Sequence, residues 1–144
     1  MNEKPKPYLT AALICEKVLE EKDGNLSVIR IADRLEFHVP PGLASDQTPV
    51  ANLSGLVALK SGQSKGGPFK LRFDLIRPSG DRKTVSTIDA QLAEGEDQGA
   101  NFIIQFGIRL EQEGLHWFDV FFDDELLTRI PLTLLLKADV QVQK

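Results

Sequence analysis

Residues 8–25, YLTAALICEKVLEEKDGN, can be read in two ways, and the choice decides the fold class. Leu9, Leu13 and Val18 with the charged run EKVLEEK suit an amphipathic helix. Leu9, Ala11, Leu13 and Cys15, at every second position, suit a strand with one buried face. Asp23-Gly24 then favours the strand, because Asp-Gly is a strong hairpin signal that would turn the chain directly into a second strand. The stretch is therefore read as strand, turn and the start of a partner strand.

Period-two alternation recurs downstream. In FKLRFDLIRPSG, residues 69–80, Phe69, Leu71, Phe73 and Leu75 share one face while Lys70, Arg72 and Asp74 share the other, until Pro78-Ser79-Gly80 turns the chain. In NFIIQFGIRL, residues 101–110, Phe102, Ile104, Phe106, Ile108 and Leu110 lie together. LSVIRIADRLEF, NLSGLVALKS and KTVSTIDAQL add further strand candidates. VPPGLASDQTP, SGQSKGGP and AEGEDQG are too irregular for a sheet and read as loops. About eight short strands with turn signals every 8 to 12 residues or so predict an all-β, antiparallel two-sheet sandwich of immunoglobulin-like type, as one domain over residues 1–144.

GLHWFDVFFDDELLTRIPL, residues 114–132, holds the only Trp and a run of three acids. With Asp123-Asp124-Glu125 as the turn of a hairpin, Phe122 would face Leu126, Val120 Thr128, Phe118 Ile130 and His116 Leu132 on one face. On the other face Phe121 would lie beside Leu127, Asp119 beside Arg129 and Trp117 beside Pro131. A cross-strand ion pair flanked by apolar pairs is what a stable outer face needs. Trp117, Phe121, Leu127 and Pro131 then form an outer apolar patch, either covered by the protein itself or offered to a partner.

The stretches ALICEKVLEEKDGNLSVIRIADRLEFHVP (12–40), FKLRFDLIRPSG (69–80) and GLHWFDVFFDDELLTRIPL (114–132) together resemble a family of small bacterial cytoplasmic β-sandwich proteins of unknown function. The shared motifs are a first hairpin, a Pro-Ser-Gly turn and a Gly-aromatic strand leading to a Pro-Leu strand. The resemblance implies no catalytic residues.

Composition narrows the classes further. At 144 residues roughly two-thirds of the unfolded surface can be buried, so no disulfide or metal is needed for a core. A net charge of −4 argues against nucleic acid, which needs a concentrated basic face. The longest apolar runs, such as LTLLL at 132–136, are too short to span a bilayer, so no membrane partner is expected. The start, MNEKPKPYLT, lacks the apolar core of a secretory signal, and the lone Cys15 agrees with a reducing, cytoplasmic setting.

No catalytic constellation is readable, and no cofactor or metal site is expected. His38 and His116 have no ligand-like spacing, and His116 reads as a core histidine. Cys15 reads as a buried inert thiol with Lys17 one pleat away. Ser54 in NLSGL is not in a hydrolase elbow, and GQSKGG lacks the ending of a phosphate loop. Asp123, Asp124 and Glu125, with Glu94, Glu96 and Asp97, could supply oxygens for calcium, but solvated turn acids are commoner and the calcium-loop ladder is missing. The expected function is a non-catalytic protein-interaction or structural module presenting a sheet face or edge strand to a protein partner or to itself. The alternative is a small-ligand or carbohydrate binder with Trp117 as stacking platform.

Overall fold

The computed structural model describes residues 6–42 and 47–138. Residues 43–46, inside the expected loop VPPGLASDQTP, and the first five residues lie outside the described set. Among the described residues every long regular element is a strand: β1 (Tyr8–Glu20), β2 (Leu26–Ile31), β3 (Arg34–Val39), β4 (Val50–Lys60), β5 (Gly67–Ile76), β6 (Arg82–Leu92), β7 (Gly99–Arg109), β8 (Gly114–Phe122) and β9 (Glu125–Ala138). They form two packed sheets, one in the order β2-β1-β4-β7 and one in the order β3-β9-β8-β5-β6. The fold is an all-β two-sheet sandwich.

The opening segment is strand, and the turn after it is closed by Asp23, whose Oδ1 accepts the Asn25 N–H at 3.0 Å, with Gly24 at φ 87°. Its alternation, however, does not run straight through. Between Leu9 and Ala11 the register against β4 shifts, leaving Thr10 as the extra residue of a bulge. Side chains beyond it change faces: Leu9, Ala12 and Ile14 point into the core, while Cys15 is buried on the opposite side of the sheet.

Two further departures concern β2 and β3. LSVIRIADRLEF is not one strand, because the Ala32 N–H donates to the Ile14 carbonyl in one sheet and the Asp33 carbonyl accepts the Thr133 N–H in the other. Two consecutive residues thus hand the chain from sheet to sheet, which raises the strand count to nine. β3 then runs parallel to β9, from Arg34 opposite Thr133 to Val39 opposite Ala138, so the five-stranded sheet is mixed.

The core lies where the alternation of β5 and β7 places it. Phe69, Leu71, Phe73 and Leu75 are buried from one sheet, and Ile104, Phe106, Ile108 and Leu110 from the other. Each such side chain contributes about 1.5–3 kcal/mol on burial. Phe118 of β8 sits at the centre, with its ring 4.8 Å from Phe106 and 5.9 Å from Phe73. Gly55 on β4 makes room for this packing: a Cβ there would stand 3.1 Å from Ile104 Cγ1 and 3.7 Å from the Phe118 ring.

The β8–β9 hairpin keeps the expected pairs from Val120 with Thr128 down to His116 with Leu132, but its tip differs. The loop has two residues, not three. Asp123 and Asp124 stand at φ 46° and 66°, the left-handed pair of a type I′ turn, whose twist matches that of the strands. Phe122 therefore pairs with Glu125 and Phe121 with Leu126, and a bulge opposite Val120 and Phe121 absorbs Leu127 before the deeper register resumes. Leu127 turns toward the core, and Leu126, half exposed, takes the outer place expected for it.

Candidate functional site

The outer face of the five-stranded sheet is built around two carboxylates that the register sets opposite each other, Asp74 on β5 and Asp119 on β8. Like charges directly across a strand pair repel, and both side chains are only 3% exposed. Guanidinium groups hold them together. Arg82 bridges the pair, donating from Nη1 to Asp74 Oδ2 at 3.1 Å and from Nη2 to Asp119 Oδ2 at 3.2 Å. Arg129 Nε donates to Asp119 Oδ1 at 2.8 Å, and Thr84 Oγ1 donates to Asp74 Oδ1 at 2.8 Å, with Arg72 Nε 3.4 Å from that same oxygen. All four carboxylate oxygens are thereby engaged.

The same guanidiniums lie over the aromatic rings of this face. Arg72 Cζ is 4.2 Å and Arg82 Cζ 5.7 Å from the Phe121 centroid, and Arg129 Cζ is 4.6 Å from that of Trp117. Each contact adds about 0.5–2 kcal/mol of cation–π attraction and fixes a side chain that would otherwise sample many rotamers. The result is a plate of ordered arginines, with side chains 32–48% exposed and N–H donors left over for solvent or a partner.

Of the patch anticipated from sequence, Trp117 and Phe121 are half-buried in this plate and Pro131 is exposed beside Trp117, whereas Leu127 is turned inward. Asp119 and Arg129 make the expected ion pair. Asp74, Arg72, Arg82 and Thr84 were not singled out by sequence. Their only signal is that Arg72 and Asp74 fall on the polar side of FKLRFDLI, and nothing local says that β8 pairs there.

The acidic turn disperses its charges. Asp123 Oδ1 accepts the Lys70 N–H at 2.8 Å, Asp124 Oδ1 lies 2.8 Å from Arg72 Nη1, and Glu125 Oε2 lies 2.5 Å from Lys6 Nζ. Among the described residues no three His, Cys, Asp or Glu side chains are grouped to hold a metal ion. Cys15 is fully buried, and burial raises its thiol pKa against a smaller opposite pull from the Lys17 backbone N–H. His38 is exposed, 3.9 Å from Glu36. A cavity of about 730 Å³ lies between Phe69, Phe122 and the segment from Gln63 to Pro68 that leads into β5; Trp117 takes no part in it.

His116 is fully buried on the core side of β8, with Nδ1 donating to the Gly114 carbonyl at 3.0 Å and Nε2 without a partner among the described residues. Desolvation, joined by the nearby Arg77 charge and partly opposed by the Gly114 carbonyl, lowers its pKa below the usual histidine value. The unfolded chain therefore takes up this proton before the folded one does. Stability is full above the unfolded pKa of about 6.5 and falls as pH drops below it, by up to about 1.4 kcal/mol per pH unit. Urea denaturation at neutral pH and one pH unit below 6.5 should show the wild type losing more stability than His116→Leu, by up to about 1 kcal/mol. Equal losses would mean that the imidazole is charged in the fold.

A family model matches residues 10–135, described as a family of unknown function, DUF6941. The chain belongs to DUF6941. No curated protein matches this DUF6941 chain significantly. Among solved structures it is similar to the Pseudomonas fluorescens alkylpurine DNA glycosylase AlkC bound to DNA containing an abasic site analog, at 10% identity over 86% of this chain and 30% of that one, with a TM-score of 0.46. It is also similar to a beta-glucosidase from Listeria innocua in complex with isofagomine, at 7% identity over 92% of this chain and 17% of that one, with a TM-score of 0.40. A third is an immunoglobulin-like protein from Pseudomonas aeruginosa, at 12% identity over 92% of this chain and 99% of that one, with a TM-score of 0.38. The chain spans less than a third of the first two structures.

Proposed function

We propose that the chain is a non-catalytic protein-interaction module that presents the outer face of its five-stranded sheet to a protein partner. The observation that carries this reading is the fixing of Arg72, Arg82 and Arg129 over Phe121 and Trp117 by two buried carboxylates. Arg and Trp are the residue types that dominate binding hot spots. Here their ordering entropy is already spent within the fold, which favours binding without further reorganisation. Spare guanidinium donors suit a partner that offers carboxylate or carbonyl oxygens. Acid–base catalysis on this face has less support, since no oxygen of Asp74 or Asp119 is free to move a proton. A sugar stacked on Trp117 is likewise less favoured, because Arg129 occupies one face of the indole.

Site-specific photo-crosslinking in cells that make the protein tests the reading. A benzophenone side chain at Leu126 or Pro131 should give a discrete protein adduct, and one at Ile29, on the outer face of the other sheet, should not. Adducts from neither plate position, or the same adducts from all three, would overturn it.

A further inference from the structure

Sheet edges carry rows of unpaired backbone N–H and C=O groups, and stable proteins blunt them with charge, shortness, bulges or twist. Among the described residues the two sheets have four edges, β2, β3, β6 and β7. Three are guarded. β2 has six residues, and Arg30 stands at φ 53° within it. β3 also has six and carries Arg34, Glu36 and His38 at alternate positions. β6 is longer but is bulged opposite Phe73 and Asp74 and carries Arg82, Lys83 and Asp89. β7 has none of these devices: its eleven residues pair one for one with β4, without a bulge, and it contains no Pro and no charge before Arg109.

We propose that β7 pairs antiparallel with β7 of a second copy of this chain, joining two four-stranded sheets into one of eight strands. The sequence of the strand is compatible with its own two-fold image. With the axis at Ile104 all eleven residues overlap, Ile103 lies beside Gln105 of the second copy and Asn101 beside Gly107, and no like charges meet. Charge supports the antiparallel sense. Glu94, Glu96 and Asp97 lead into the N-terminal end of β7, whereas its C-terminal end carries Arg109 beside Glu111 at 3.8 Å, so the two-fold sets the acids of each copy against an end whose charge is balanced. Parallel self-pairing would set acids against acids.

Sedimentation of the full chain from low micromolar to near-millimolar concentration tests this. The wild type should form a dimer within this range. Ile103→Lys puts a cation in the exposed row of each strand, close to its symmetry mate, and should leave a folded monomer with the wild-type circular dichroism. Should Ile103→Lys unfold, Asn101→Lys on the same exposed row is read in its place. A wild type that stays monomeric throughout, or a folded Lys variant that still dimerises, overturns the proposal.

Discussion

Phe118→Ala is expected to lower the free energy of unfolding by about 3–5 kcal/mol, enough to leave a domain of ordinary stability partly unfolded at body temperature. The ring is 1% exposed and meets aromatic partners from both sheets, Phe73 on its own and Phe106 on the other. Its removal opens a cavity that neither sheet can close, because the pleated strands on each side are held by their ladders. Gly55 deepens the loss, since the strand facing the ring has no side chain to lean into the void. Urea denaturation followed by Trp117 fluorescence measures the effect. Phe121→Ala, at a half-buried outer position, should cost clearly less, and similar losses at the two sites would contradict the division into core and plate.

The second large effect is expected at Arg82, although its side chain is 48% exposed. Arg82→Ala should destabilise by about 2–4 kcal/mol, less than a fully buried ion pair would because solvent screens the guanidinium. The reason is the pair left behind. Asp74 and Asp119 would face each other across β5 and β8 with their bridge gone. Adding Asp74→Asn should then recover part of the loss, whereas Asp74→Asn in the wild type, which breaks a made contact, should destabilise. A double-mutant cycle reads this directly. Strictly additive losses would mean that Arg82 does not hold the two carboxylates together.

The sequence made some of this legible. Wherever a strand alternated without interruption, as in β5, β7 and the lower part of β8–β9, the buried face was readable residue by residue, and the Asp119–Arg129 contact followed from counting back from the turn. What escaped were the switch of sheet at Ala32–Asp33 with its parallel β3–β9 pairing, and single-residue insertions. The extra Thr10 moved Ile14 inward in place of Leu13. The two-residue turn and its bulge moved Leu126 outward in place of Leu127. One extra residue flips every later side chain, and no composition signal marks it. The site was half visible for a different reason. Trp117, Asp119 and Arg129 belong to one hairpin, whereas Asp74, Arg72 and Arg82 arrive only because β8 lies beside β5, a choice of neighbour that local pattern does not encode.

The parallel pairing of β3 with β9 also bears on how the chain is made. Arg34 meets Thr133 about a hundred residues after it has been synthesised. At about 5–20 residues per second a ribosome needs roughly 5–20 s to supply that partner. β1 and β2 can close as a hairpin at once, but β3 must wait with both edges open until the last strand emerges. Loop-closure entropy and high contact order place this step late and make it slow. Arg34, Glu36 and His38 thus place a polar side chain at every second position of the strand that waits longest for its neighbour.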